Sequence, residues 1–299
     1  MKHILTIFLA IILVIGLGYA FNSTSPGENL QLSYIQDISF EIPFDANSNS
    51  ENPKSRKSGF HLYPEFSAEI YNPFITDKPT VSISDGEHSP VALMYHAVNE
   101  VPQTSLDGLF LRPSEFEDQL KVLNDLGYSY CFADEFQHSD TPSVILTFDD
   151  GYTDNYTEMF PILKKYNAKA TIFVFTAAID GEGYLTREQI QEMSESGLVR
   201  FASHSHNHNN LTPMSEEDIR YEFEHSKQIL AELTGHETNA ISYPTGKTSD
   251  IVIQIAQDYF HFGYTTVNST YTGDCNPLLI PRVRIYRGMT GKGLAARLG

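Results

Sequence analysis

The stretch Val144-Ile145-Leu146-Thr147-Phe148-Asp149-Asp150-Gly151 decides the fold. It opens as a short apolar run of strand length, and such runs belong to parallel strands covered on both faces. It closes on two adjacent carboxylates, which repel at the mouth of an apolar strand, so that one ionises reluctantly unless a cation is near. Outward from this strand the pattern repeats. Val91–Tyr95 and residues 170–175 are further apolar runs, with shorter ones at 198–202, 240–243, 263–267 and 280–286. Helical signals alternate with them. Ser114 and Glu117 form a capping box before the stripe Phe116, Leu120, Leu123 and Leu126. Tyr156, Phe160 and Leu163 follow the central strand, and Thr186 caps a helix through Met193. The longest helix starts near Ser215, turns Ile219, Phe223, Leu230 and Leu233 inward, and stops at Gly235. Strict alternation of β and α predicts an α/β fold, with about seven parallel strands closing as a (β/α) barrel. Chemistry in such barrels sits at the C-terminal ends of the strands, and His96, Asp149, Asp150 and His204 all fall just past such ends.

The chain has 299 residues, 41% of them hydrophobic, which is enough for a packed core. Residues 1–20 read as a signal peptide or an N-terminal membrane anchor. Met1-Lys2-His3 precedes an apolar run from Ile4, and Gly18-Tyr19-Ala20 supplies small residues at signal-peptidase spacing. Either reading places the rest outside the cytoplasm, secreted or tethered to the outer face of the membrane through residues 4–20. Residues 21–88, rich in Ser, Asn and Pro, read as a stalk, and 89–299 as the functional domain. The net charge of −18 argues against nucleic acid and anionic membrane surfaces as partners. Cys131 and Cys275 are too few for a disulfide framework. A monomer is expected.

The chemistry-bearing residues are Asp149-Asp150 and His204-Ser205-His206-Asn207-His208. One carboxylate with two imidazoles makes a facial triad for a divalent ion, and the second carboxylate is left free as a base. On a helical turn His204 and His208 share a face, whereas on a strand all three histidines align, so two or three ligands are open. His96 ends the first apolar run, and an imidazole there suits acid catalysis near neutrality.

In these residues the segment 90–299 resembles the polysaccharide deacetylases of carbohydrate esterase family 4. Thr147-Phe148-Asp149-Asp150-Gly151 is similar to their first motif and His204-Ser205-His206-Asn207-His208 to their second. Ser242-Tyr243-Pro244-Thr245-Gly246 is similar to the third, Arg-any-Pro-Tyr-Gly. The resemblance implies a distorted (β/α) barrel of seven strands. It implies metal ligation by Asp150, His204 and His208, most often of Zn2+, and Asp149 as the general base. It also implies that Tyr243, Pro244, Thr245 and Gly246 form a substrate and oxyanion loop, with the stabilising N–H at Thr245. The implied activity is metal-dependent removal of acetyl groups from N-acetylglucosamine units of a polysaccharide.

The departures are specific. Ser242 stands where the family has Arg, so the charged neighbour that orients the base is missing from motif three. Thr245 replaces an aromatic. There is no Trp for the fourth motif, and residues 280–287 hold no His for the fifth. The poly-β-1,6-N-acetylglucosamine deacetylases are similar in these respects. Met94-Tyr95-His96 resembles their opening strand, whose His is the acid, and residues 279–284 and 287–290 fit as well. The proton donor is thus expected to be His96. Tyr95, Tyr152 and Tyr243 are candidates for stacking on sugar rings. A carbohydrate-binding or scaffold protein that kept the fold without turnover is the alternative that Ser242 and Thr245 motivate.

Overall fold

In the computed structural model the described residues are 88–100, 107–273 and 275–298. The signal or anchor expected over 1–20 lies outside them, as does the expected stalk apart from His88, which is bridged to Ser139. Among the described residues no helix is long and apolar enough to cross a membrane.

The strands are β1 (Val91–Tyr95), β2 (Ala97–Val98), β3 (Phe110–Leu111), β4 (Ser129–Tyr130), β5 (Ser143–Asp150), β6 (Ala170–Val174), β7 (Val199–Ser203), β8 (Ala240–Ser242), β9 (Phe262–Tyr264) and β10 (Val283–Arg284). Seven of them form one parallel sheet in the order β10-β1-β5-β6-β7-β8-β9, with β4 flanking β5. The segment before β10 closes the curl. The Ile280 N–H donates to Gly263 O at 2.7 Å and the Thr265 N–H to Ile280 O at 2.9 Å, while Val283 pairs with Leu93 of β1. The expected distorted (β/α) barrel is what forms. Every residue of β5 is buried, as its continuous apolar run predicts.

Strand alternation sorts the residues into two cores. Val144, Leu146 and Phe148 of β5 pack outward under the helices, whereas Ile145 packs inward with Ala92, Phe173, Ala202, Ala240 and Tyr264. Continuing the inward parity toward the strand ends gives Thr147 and Asp149 on β5, His96 after β1, Phe175 after β6, His204 after β7 and Ser242 on β8. Parity alone therefore directs these side chains to the barrel mouth.

The helices are α1 (Pro113–Asp125), α2 (Phe160–Tyr166), α3 (Arg187–Glu195), α4 (Glu216–Thr234), α5 (Asp250–Ala256) and α6 (Gly291–Leu298), and a π turn at Asn155–Met159 leads into α2. Thr186 caps α3, and Ser215 and Gly235 bound α4 as expected. Two expectations fail locally. The box on α1 joins Arg112 to Glu115, because Pro113 takes the first helical position and pulls the start forward. Leu126 is 53% exposed, since the helix ends one residue before it.

Gly263 is where β9 runs closest to its neighbours: a Cβ there would lie 2.5 Å from Leu278 O and 2.6 Å from the Tyr243 hydroxyl. Overpacking of this kind costs about 1–3 kcal/mol. Gly263→Ala is expected to lower the denaturant midpoint accordingly, and an unchanged midpoint would show that β8 and β9 yield freely.

Candidate metal centre

Asp149 and Asp150 are neighbours in sequence and occupy different environments. Asp149 follows the inward parity and meets Arg282, which is fully buried. Arg282 Nη1 donates to Asp149 Oδ1 at 2.8 Å and Nη2 to Oδ2 at 2.7 Å, a two-pronged fit of guanidinium to carboxylate. The same guanidinium donates to Thr147 Oγ1 at 3.0 Å and to Ser242 Oγ at 3.0 Å, and its Nε–H to Thr265 O at 2.9 Å. Burial alone would raise the Asp149 pKa, but Arg282, with His204, holds it far below the usual carboxylate range. The charge expected at position 242 is thus supplied by Arg282, from the segment between β9 and β10. Ser242 leaves room for it and accepts one of its protons.

Asp150 breaks the alternation. Its φ is 76°, as is that of Gly151, so its carboxylate turns out of the strand toward the mouth. There Asp150 Oδ1 lies 3.5 Å from His204 Nε2 and 3.4 Å from His208 Nε2. The His204 Nδ1–H donates to Ser242 O at 2.6 Å, which fixes the tautomer and leaves Nε2 as a lone-pair donor. Ligand atoms of all three residues fall within 4.8 Å of one another. One oxygen and two imidazole nitrogens in this cluster, one tautomer already set, fit a divalent ion.

The loop carrying the histidines is neither helix nor strand. Ser205 (φ 64°) and His208 (φ 57°) are left-handed, so the chain doubles back and brings 204 and 208 together. His206 points elsewhere: its Nδ1 pairs with Thr176 Oγ1 at 2.8 Å and its ring packs on Tyr221 and His225. Glu222 of α4, 2% exposed, anchors the loop. It accepts the N–H groups of His206 and Asn207, both at 2.8 Å, and the Asn207 side chain at 2.7 Å.

His96 is half-buried, and the charges of Asp149, Asp150, His204 and Arg282 all act on its ring. Burial lowers its pKa below the ordinary value, against the pull of the two carboxylates. Its main chain is clamped by the turn after β5. Asn155 Nδ2 donates to His96 O at 2.9 Å and to Asp154 Oδ1 at 3.1 Å, and the Val98 N–H donates to the same Asp154 oxygen at 3.1 Å. Burial raises the Asp154 carboxyl to about 6 despite these donors.

In the motif-three loop Pro244 is buried and Thr245 is exposed with φ 60°. Gly246 donates its N–H to Tyr243 O at 2.9 Å, and its φ of 71° against Thr266 admits no side chain. Tyr243 and Tyr95 are core residues rather than groove walls. Of the three tyrosines considered, only Tyr152 is half-exposed at the mouth.

Residues that sequence reading did not assign are Arg282, Glu222, Asp154 and Asn155. Arg282 carried a usable signal: an Arg inside an apolar run, after Pro281 and before Val283, must find a buried partner.

A polysaccharide deacetylase family model matches residues 137–267. YxkH of Bacillus subtilis, which bears a polysaccharide deacetylase name, is 34% identical over 68% of this chain and 74% of its own length. The poly-β-1,6-N-acetyl-D-glucosamine N-deacetylase of Staphylococcus aureus is 25% identical over 70% of this chain and 83% of its own. The solved structure of the Streptococcus pyogenes deacetylase PplD in complex with acetate superposes with a TM-score of 0.65 and 30% identity, covering 71% of this chain and 99% of that one.

Two stability predictions follow from the charges. Arg282→Met strands a buried Asp149 and is expected to cost about 3–5 kcal/mol at neutral pH. The depressed Asp149 pKa contributes stability above the unfolded value near 3.8, lost as pH falls through the folded one. The variant's deficit should therefore shrink in acid and be relieved in Asp149→Asn/Arg282→Met; urea unfolding across pH measures both. Asp154 has the opposite sign. Its raised pKa gives stability that is full below about 3.8 and lost as pH rises through about 6. Asp154→Asn should match wild type at pH 4 and exceed it at pH 7 by up to about 3 kcal/mol; equal stability at both pH values would refute the shift.

Proposed function

The chain belongs to the polysaccharide deacetylase family, and from that premise we propose that it is an extracytoplasmic, metal-dependent N-deacetylase acting on a polymer of N-acetylglucosamine. The observation that carries this reading is the division of labour at the barrel mouth. Asp150, His204 and His208 converge as a ligand set, while Asp149 beside them is held ionised on Arg282. A non-catalytic binding module has no use for that second, independently charged carboxylate.

Asp150, His204 and His208 would hold the ion; an O,N,N set suits several divalent metals, and Zn2+ is the one that the family resemblance favours. When bound, it supplies Lewis-acid polarisation of the acetyl carbonyl and makes water easier to deprotonate. The remaining steps belong to the protein's own residues. Asp149 takes the proton of the attacking water, and Arg282 keeps its carboxylate oriented and anionic beforehand. The exposed left-handed turn at Thr245 presents its backbone N–H to the developing oxyanion. His96 delivers a proton to the departing amine, its backbone fixed by Asn155 and Asp154. Bond cleavage releases acetate and leaves glucosamine in the polymer. The Staphylococcus aureus relative and the Met94-Tyr95-His96 strand favour a β-1,6-linked polymer over a β-1,4-linked one.

The test is acetate release from N-acetylglucosamine oligomers with and without chelator; a chelator-insensitive or absent release sinks the proposal. Alanine at Asp150, His204 or His208 is expected to abolish bound metal and turnover together, while His206→Ala keeps the metal. Asp149→Asn and His96→Ala are each expected to keep the metal and lose about 10²–10⁴-fold in rate. His96 must be protonated to act, so wild-type kcat/KM should fall as pH rises through its pKa. His96→Ala should lose that limb, and a retained limb would assign the acid elsewhere.

A further inference from the structure

The loop that carries the two ligand histidines holds a further imidazole that the chemistry above leaves unused. His204 and His208 converge with Asp150, whereas His206, between them in sequence, meets His225 of α4. The His206 and His225 ring centroids are 5.3 Å apart at an interplanar angle of 67°. His204 and His208 stand at 4.7 Å and 58°. Two imidazoles sharing a tetrahedral ion, each nitrogen about 2.0–2.1 Å from it, place their ring centroids roughly 5 Å apart. The second pair therefore has the spacing that the first uses.

Both rings are held with nitrogens available. His206 Nδ1 lies 2.8 Å from Thr176 Oγ1, in the turn after β6. When the Nδ1–H donates to that hydroxyl, Nε2 carries the lone pair, the state that the Ser242 carbonyl imposes on His204. His225 stacks on Tyr221, one helical turn earlier on α4, with centroids 4.2 Å apart and planes at 27°. Stacking covers a face of the imidazole and leaves its edge, where the nitrogens lie. Packing alone gains little from this arrangement, since Tyr221 is 48% exposed. His206 and His225 are each half-buried, so an ion can enter from solvent and water can complete its shell. The Glu222 carboxylate, which receives the His206 and Asn207 N–H groups, also acts on the His206 ring and adds a field that favours a cation.

We propose that His206 and His225 form a second divalent-metal site, on the α4 side of the ligand loop, for a transition ion that prefers imidazole, such as Zn2+, Ni2+ or Cu2+. The proposal goes beyond the deacetylase reading and does not rest on it. With two protein ligands against three, this is the weaker site. It empties on dialysis, so the metal content of dialysed protein counts the first site alone. An ion there ties the loop of His204 and His208 to α4 and makes that loop responsive to the free-ion concentration around the protein.

The experiment is a calorimetric titration of Zn2+ into full-length protein already loaded at Asp150, His204 and His208. Wild type is expected to take up a further Zn2+. His206→Gln and His225→Gln should each lose that uptake while keeping the first ion, and the retained ion reports an intact fold. In proton–nitrogen NMR spectra the ring signals of His206 and His225 should shift together as the further ion binds. No further uptake by wild type overturns the proposal. So does uptake that survives either substitution or leaves both ring signals unmoved, since the ion then sits on other surface groups. Titration into Asp150→Ala tests the second site with the first removed. Uptake there that vanishes in Asp150→Ala/His225→Gln supports the site even if wild type releases no acetate, an outcome that would overturn the deacetylase reading alone. Equal uptake with and without His225 overturns the second site.

Discussion

The pairing of Arg282 with Asp149 inside the barrel is the constraint on which the mouth depends. Five donor contacts from one guanidinium tie β5, β8 and the segment after β9 together, using Thr147, Asp149, Ser242 and Thr265. A buried pair of this kind contributes little net stability, because desolvation of both charges offsets their attraction. Its value lies in specificity: with either charge alone the interior is worse off than with neither. The barrel is committed to one register at the level where the ligand-bearing strands end. Ser242 completes the arrangement twice, through its side chain to Arg282 and through its carbonyl to His204. A single small residue thereby links the orientation of the base to the tautomer of a ligand.

Two adjacent carboxylates would normally compete for one proton. Here backbone geometry separates them. Asp149 keeps the extended conformation and points inward to a permanent cation, and Asp150 takes φ 76° and points to two imidazoles. Asp149 has a permanent cation beside it, and, against the burial that would raise it, the Asp150 carboxyl is lowered below its ordinary value by His204. A divalent ion at the second position would strengthen the separation, since it competes with protons on Asp150 without displacing Arg282 from Asp149.

The parts of this architecture that follow from period and parity were legible in the sequence. Continuous apolar runs at 91–95 and 144–148 gave buried parallel strands, and the alternation of strand and helix gave the barrel. Their position just past the ends of apolar runs places His96, Asp149 and His204 at the mouth before the fold is known. Non-local pairing was not legible. The charge missing at Ser242 is restored from position 282, and nothing in the spacing of the two residues indicates that they meet inside the barrel. His206 could not be set aside by spacing, because the turn at 204–208 depends on left-handed residues that follow neither the helical nor the extended period. Tyr243 and Tyr95 read as groove aromatics because a ring at a strand end carries the same letter whether it faces sugar or core. Glu222 was invisible for a related reason: its helix period marks it as core-facing, and only the loop opposite explains a buried carboxylate there.

Left-handed backbone is concentrated where the chemistry is. Among the described residues, Asp150, Ser205, His208 and Thr245 are four of the six non-glycine residues with positive φ. Each costs about 1 kcal/mol or more relative to the right-handed region. The surrounding hydrogen bonds offset that cost: Ser203 Oγ receives the Ser205 N–H, Ser205 Oγ receives the His208 N–H, and Glu222 receives two further amides. These partners belong to the protein and not to a ligand. The loop is therefore held in its strained form before any ion arrives, and binding free energy is not consumed in bending it. Such a site trades folding stability for preorganisation. The same trade explains why Asp150 and His208 are not Gly: glycine would relax the turns, but it could not supply the ligands that the turns present.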